Sequence, residues 1–259
     1  CRTLRPFLEN PGPSFRTAGD TETVVHLYEE YGDAGVHLLR GMFAYALWDS
    51  GRRRLVLARD RLGIKPLYWA PTREGLLFGS EPKALLAWGG LSRTCDPEKL
   101  LDYLVQGYVG GERSAWADIR RLPPGSTLSW RPGGHPAIQG YWDLPTGGLR
   151  EVGETEALHA ELREWIDRAV SDRLIAEVPL GAFLSGGIDS SAVVESMSRA
   201  LPDPVIACSV GFREKSHDEL DHARATAARL GAVHHAEVLE PVPRLAFDTL
   251  PWFFDEPLA

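Results

Sequence analysis

The sequence predicts two domains of different class: a layered α+β domain, then an α/β domain built on a doubly wound parallel sheet. Three observations predict this. Between residues 41 and 78 four short apolar runs follow one another, separated by turn-forming residues, as consecutive hairpins do. From residue 154 onward strand and helix patterns alternate, which implies parallel strands. Between the halves, residues 120–153 are rich in Gly, Pro and Trp and show little periodicity. The expected division is therefore a first domain over 1–142, a linker over 143–153 and a second domain over 154–259.

The elements follow in order. A helix is expected over 21–31, with Val24, Val25, Leu27 and Tyr28 as its apolar positions and Asp20 as its N-cap. Residues 41–48 read as a buried strand, Asp49-Ser50-Gly51 as a turn, and 54–59 as the antiparallel partner. Two more strands are expected over 66–69 and 75–78, then a short helix over 82–87. In the second half an amphipathic helix over 154–176 carries Leu158, Leu162, Trp165, Ile166, Val170 and Leu174 on one side. After it come a strand (179–184), a glycine-rich turn, a helix (189–200), a strand (205–210), a helix (218–230) and a strand (234–239). In such sheets ligands sit beyond the carboxyl ends of the strands, where that turn lies.

Composition excludes several classes. A net charge of −8, from 28 basic and 36 acidic residues, argues against nucleic-acid binding as the main role. No apolar run approaches the roughly 20 residues that span a bilayer, and no leader pattern opens the chain, so the expectation is a cytoplasmic protein without a membrane partner. Three widely spaced cysteines fit neither a disulfide framework nor a zinc site, and His234-His235 has no nearby third and fourth ligand.

Ser185-Gly186-Gly187-Ile188-Asp189-Ser190-Ser191 ends a strand and opens a helix. Two glycines let the backbone bring its N–H groups close to an anion, and the helix start adds its positive end. Asp189 would repel phosphate unless a magnesium ion lay between them. The loop lacks the lysine of the P-loop and the spacing of the dinucleotide fingerprint. Its plain alternative is a glycine turn capped by serines.

This loop resembles the pyrophosphate-binding motif of the ATP pyrophosphatases. In the first half, Phe15-Arg16-Thr17-Ala18-Gly19-Asp20-Thr21-Glu22, Gly41-Met42-Phe43-Ala44, Arg59-Asp60-Arg61-Leu62-Gly63-Ile64-Lys65-Pro66-Leu67-Tyr68 and Ser80-Glu81-Pro82-Lys83-Ala84-Leu85 are similar to the glutaminase domain of class II amidotransferases. In order and spacing the motifs resemble glutamine-hydrolysing asparagine synthetase of the B type over nearly the whole chain. The resemblance implies an incomplete Ntn-type glutaminase domain followed by an incomplete ATP-pyrophosphatase domain. It implies glutamine hydrolysis by an N-terminal cysteine, passage of ammonia through a channel, and activation of aspartate as its β-aspartyl adenylate. ATP and Mg2+, L-glutamine and L-aspartate are the ligands so implied, and homodimers are common in the family.

Residue by residue, the resemblance gives Asp20 the amino group of glutamine, beside its possible role as a cap. It gives Leu184, Ser185, Gly186, Gly187, Asp189, Ser190, Ser191 and Val210 the nucleotide, with Asp189 holding Mg2+. For Leu184 and Val210, strand packing is the alternative. The cluster Arg59-Asp60-Arg61 is expected to be solvated or paired locally, and Lys65 and His234-His235 carry no assigned chemistry. Cys1 is not expected to be the nucleophile, because Arg2 follows it and Phe15 lies only fourteen positions later. The expected nucleophile therefore lies upstream, and the family's Ser-Gly-Glu-Gly-x-Asp-Glu segment is expected downstream. Such a piece alone is expected to bind nucleotide weakly and to catalyse neither half-reaction. Two other readings stay open: a relative forming another amide, such as a β-lactam-synthetase-like ligase, and a non-catalytic degenerate copy.

Overall fold

The structure, a computed structural model, describes residues 4–9, 14–147, 155–213, 219–240 and 243–257. Two compact units divide the chain: Cys1–Thr146 together with Arg244–Ala259, and Gly147–Pro243. Residues 244–257, at the end of the expected second domain, group by contacts with the first unit.

In the first unit α1 (Leu4–Glu9) and α2 (Asp20–Tyr31) precede a 3-10 turn at Gly32–Leu38. Strands β1 (Ala44–Asp49) and β2 (Arg54–Arg59) form the expected antiparallel hairpin, in which Ala44 pairs with Arg59 and Asp49 with Arg54. Asp49 sets its turn by accepting the Arg52 N–H at 2.8 Å. Strands β3 (Tyr68–Pro71) and β4 (Leu76–Gly79) pair antiparallel and lead into α3 (Pro82–Leu86), begun by a proline at its first position. The expected bounds hold to within about two residues, except that β1 begins three residues later than the expected 41.

Several elements carry no expectation from the sequence. Helix α4 (Pro97–Gln106) is fixed by its ends: the Asp96 carboxylate accepts the Glu98 N–H, and Gly107 closes the helix at φ 81°. Strands β5 (Arg120–Arg121), β6 (Ser126–Trp130) and β7 (Ala137–Gly140) come from the stretch without periodicity. They complete two antiparallel sheets, β1-β2-β6-β7 and β4-β3-β5.

Alternation explains how these layers stack. Leu55 and Leu57 of β2, Leu128 of β6 and Trp69 of β3 share one core between the sheets. On the other side of β3, Tyr68 and Ala70 pack against Leu85 and Leu86 of α3. Leu8 of α1 and Leu27 of α2 pack with Phe43 and Tyr45 at the start of β1. The unit is thus helix, sheet, sheet, helix.

In the second unit α5 (Thr155–Ser171) precedes β8 (Gly181–Phe183), α6 (Ile188–Ala200), β9 (Ile206–Phe212), α7 (Leu220–Leu230) and β10 (Val233–Leu239). The strands are parallel in the order β8-β9-β10, as the alternation predicts. Ala182 and Ala207, paired across β8 and β9, share a core with Val170 of α5, Val194 and Met197 of α6, and Ala223 and Ala227 of α7. The opposite face carries Phe183, Val210 and Phe212, exposed by 84%, 49% and 44%; among the described residues no helix core lies over it. A last helix, α8 (Pro243–Phe254), carries no expectation from the sequence and from Arg244 on belongs to the first unit. Among the described residues no helix is long and apolar enough to cross a membrane.

Candidate functional site

The turn between β8 and α6 is closed by its own serines. The Ser190 hydroxyl accepts the Ser185 N–H at 3.2 Å and donates to the Gly187 carbonyl at 3.3 Å, while the Ser185 hydroxyl accepts the Gly187 N–H at 3.2 Å. Gly186 sits at φ +88°, and a Cβ there would lie 2.7 Å from the His222 Cβ and 2.8 Å from the Ala223 nitrogen. Only glycine fits. Helix α6 starts from Gly187 without a side-chain cap, and its first intrahelical bond runs from Ser191 N–H to Gly187 O at 3.1 Å. The N–H groups of Ile188, Asp189 and Ser190 therefore have no acceptor within the helix. A phosphate is the natural acceptor for such a set.

Asp189 stands exposed in the first turn of α6. It is one carboxylate beside an anion-binding turn, and magnesium bound through phosphates commonly uses only one or two protein carboxylates. Among the described residues no cluster of three metal-ligating side chains occurs. Leu184 is a core residue, 1% exposed; its N–H donates to Cys208 O at 2.8 Å and its carbonyl accepts the Ser209 hydroxyl at 2.5 Å. A nucleotide group meeting Leu184 has only the carbonyl's second lone pair to use. Val210 lies on the open face of β9.

Sequence reasoning did not single out two residues at this turn, Ser209 and His222, and it named a third, His234, without assigning it chemistry. Ser209 and His234 are joined at 2.7 Å, Ser209 Oγ to His234 Nε2. His222, exposed in the first turn of α7, packs its Cβ against Gly186. A histidine three residues into a helix carries no pattern that would have flagged it.

In the first unit the N-cap of α2 is Gly19, not Asp20, which occupies the first helical position. Glu22, at the third helical position, reaches back past this cap. Its carboxylate folds back to accept the Arg16 N–H at 2.7 Å, the Thr17 N–H at 2.6 Å and the Thr17 hydroxyl at 2.6 Å. The Thr17 hydroxyl bond and the two backbone donors pull Glu22 down to about 2. Asp20 itself is exposed at the helix start.

Arg59, Asp60 and Arg61 are committed to backbone. The Arg59 guanidinium donates to the carbonyls of Lys65, Leu122 and Gly63 at 2.8, 2.7 and 2.7 Å. Asp60, 1% exposed, accepts N–H groups from Phe43, Leu62, Ile64 and Lys65. Arg61 donates to Leu39 O and His37 O. The cluster is paired locally, as expected, and shapes the loop that follows β2. Cys1 lies outside the described residues.

The family profile of the glutamine amidotransferase domain matches residues 1–142, more than half of the chain. The chain belongs to the glutamine amidotransferase domain family. The asparagine synthase profile matches residues 161–259, so the Ser185–Ser191 turn falls within it. The chain is 34% identical over 257 residues to asparagine synthetase [glutamine-hydrolyzing] 1 of Bacillus subtilis (strain 168), covering 99% of this chain and 40% of that protein. It is also 34% identical to a putative asparagine synthetase [glutamine-hydrolyzing] of Mycobacterium tuberculosis (strain ATCC 25618 / H37Rv), over 96% of this chain and 39% of the relative. Amidase chry2 of Gibberella zeae is 34% identical over 92% of this chain and 38% of its own length. The chain thus spans about two-fifths of the length of these relatives, 38–40%. The amidotransferase domain carries Asp20, and its compact unit also takes in the last part of the asparagine synthase match.

Proposed function

We propose that this chain carries parts of both halves of a glutamine-dependent asparagine synthetase: one takes the amide nitrogen of L-glutamine, the other activates L-aspartate with ATP. The observation that supports this most is the turn at Ser185–Ser191, closed by its serines around a glycine at φ +88° and followed by a helix start without a side-chain cap. It occurs in one chain with an amidotransferase domain.

The chemistry assigns roles to this chain's residues. A carboxylate is a poor electrophile until its oxygen leaves well, and adenylation with loss of pyrophosphate supplies that leaving group. The uncapped N–H groups of Ile188, Asp189 and Ser190 stabilise the charge that gathers on pyrophosphate as it departs. Magnesium, when bound, neutralises part of the same charge, and Asp189 would hold it. Gly186 lets the backbone approach the phosphates, and the exposed face near Val210 offers apolar surface to the nucleotide base. In the other half Asp20 pairs its carboxylate with the ammonium of glutamine, a role open to it because it is exposed and makes no cap bond.

The test is ATP–pyrophosphate exchange by the protein that contains this chain, with L-aspartate compared against other carboxylates. Aspartate-dependent exchange, lost in Asp189→Asn, supports the proposal. A second reading is that another carboxylate is the acceptor, favoured by the equal 34% identity to a protein named an amidase. Exchange with other carboxylates and none with aspartate would establish that second reading and remove the first. For the glutamine half, Asp20→Ala should raise the KM for glutamine at least tenfold, by about 1.4 kcal/mol, while leaving ammonia-dependent synthesis unchanged.

A further inference from the structure

We infer that His234 is a positioning residue for the phosphate turn, acting through Ser209 on the peptide that enters it; the inference rests on the nucleotide reading of that turn. Donor counting fixes the chain of bonds. The Ser209 hydroxyl has one proton, and it lies 2.5 Å from the Leu184 carbonyl, which can only accept. Its other neighbour, His234 Nε2 at 2.7 Å, must then be the donor. His234 therefore carries its proton on Nε2, with the neutral Nε2–H tautomer or the imidazolium serving equally.

What this chain of bonds holds is one peptide plane. The Leu184 carbonyl and the Ser185 N–H belong to the same rigid unit. Its carbonyl end is held by Ser209 from β9, itself held by His234 from β10, and its N–H end is held by the Ser190 hydroxyl of α6 at 3.2 Å. Ser209 is 6% exposed, so little water can substitute. Pinned at both ends, the plane cannot flip, and the N–H groups of the turn keep their direction before any ligand arrives. A histidine that merely filled space would need neither this tautomer nor this partner.

The experiment uses the protein that contains this chain, followed at the residues of this chain. Imidazole 15N shifts report the tautomer, amide shifts of Ser185 and Gly187 report the turn, and titration with inorganic pyrophosphate and Mg2+ reports binding. His234→Leu and Ser209→Ala should shift both amides and weaken pyrophosphate roughly fivefold to tenfold, about the worth of one hydrogen bond. His234→Gln, which restores a donor near Nε2, should recover affinity to within roughly threefold of wild type, about half of that bond's worth or less. An Nδ1–H tautomer, or amides that stay in place in His234→Leu at an unchanged melting temperature, overturns the inference. If those amides move but the wild-type chain takes no pyrophosphate at millimolar concentration, the nucleotide reading falls and the positioning relay stands.

Discussion

The Glu256 carboxylate accepts the Tyr68 hydroxyl at 2.9 Å, joining residues 188 positions apart within one compact unit. The same carboxylate accepts the Ala115 N–H at 2.7 Å and pairs with Arg121 at 2.5 Å. Beside it Asp255 accepts the Lys83 N–H at 2.9 Å, and its carbonyl takes the Trp116 indole N–H at 3.0 Å. Both partners of the Arg121–Glu256 pair are nearly buried, so removing one strands the other. Glu256→Ala should therefore destabilise the unit by about 3–5 kcal/mol, read from urea denaturation. Glu256→Gln keeps an acceptor and should lose less.

Alkaline pH should attack the same unit. Burial pushes Tyr45, Tyr68 and Tyr141 up to about 12, and Glu256 adds to the burial of Tyr68. The folded state holds these protons more tightly than the unfolded chain, where tyrosine ionises near 10. Their contribution is present in full below about pH 10 and is lost as pH rises towards 12. Absorbance at tyrosinate wavelengths and unfolding followed by circular dichroism should rise together in that window. Ionisation of these three tyrosines in a chain still folded would contradict the assignment.

Legibility in the sequence followed the range of the interactions. The shape of the Ser185–Ser191 turn was readable because its causes are local: a glycine that needs φ +88°, serines that bond across five positions, and strand–helix alternation around them. The α2 start was misplaced by one residue because Gly19 takes the cap without any side-chain bond, and a cap made by backbone conformation alone leaves no mark on residue type. Arg59 looked like a charge cluster because its three acceptors are backbone carbonyls, one of them 63 residues away, and carbonyls leave no trace in residue identity. The grouping of 244–257 with the first unit was unreadable for the same reason: it rests on pairs such as Lys83–Asp255, separated by more than a hundred residues.

Asp60 offers a test of how much a loop depends on one side chain. Its two oxygens accept four backbone N–H groups, from Phe43 at 3.3 Å, Leu62 at 3.2 Å, Ile64 at 3.0 Å and Lys65 at 2.9 Å. Asp60→Asn keeps one acceptor oxygen and turns the other position into a donor facing donors. The expected loss is about 2–4 kcal/mol, with Asp60→Ala at least as costly. Amide exchange of Ile64 and Lys65 should accelerate more than that of β6.

The turn before α2 should survive acid further than most carboxylate-held turns. Glu22 is lowered to about 2 by the Thr17 hydroxyl first, then by the Arg16 and Thr17 amides. A depressed carboxylate contributes in full above its unfolded value near 4.3 and loses that contribution as pH falls through the folded value. Carboxyl 13C titration should place Glu22 near 2, and Thr17→Val should move it upward. A midpoint at the ordinary glutamate value in the wild-type chain would contradict the folding-back of Glu22.

The two glycines of the phosphate turn should respond differently to alanine. At Gly186 both the φ of +88° and the 2.7–2.8 Å approach of His222 and Ala223 oppose a Cβ, and the nearer obstacles include backbone of α7. Strain and overlap together should cost about 3 kcal/mol and displace the start of α7 from the turn. At Gly187 the conformation is φ −69°, ψ 165°, open to any residue, and a Cβ meets only the Ser185 hydroxyl at 3.3 Å. Gly187→Ala should cost about 1 kcal/mol, the difference between glycine and alanine at an N-cap. Denaturation of the two variants gives the stability contrast, and Mg2+–pyrophosphate titration gives the functional one. Gly186→Ala should lose binding, because a shifted backbone no longer aims its N–H groups at one point. Gly187→Ala should retain most of it, since the N–H groups of Ile188, Asp189 and Ser190 stay where they are. Equal losses in both would mean that the turn needs small residues only for room, and that its backbone direction is not what holds the anion.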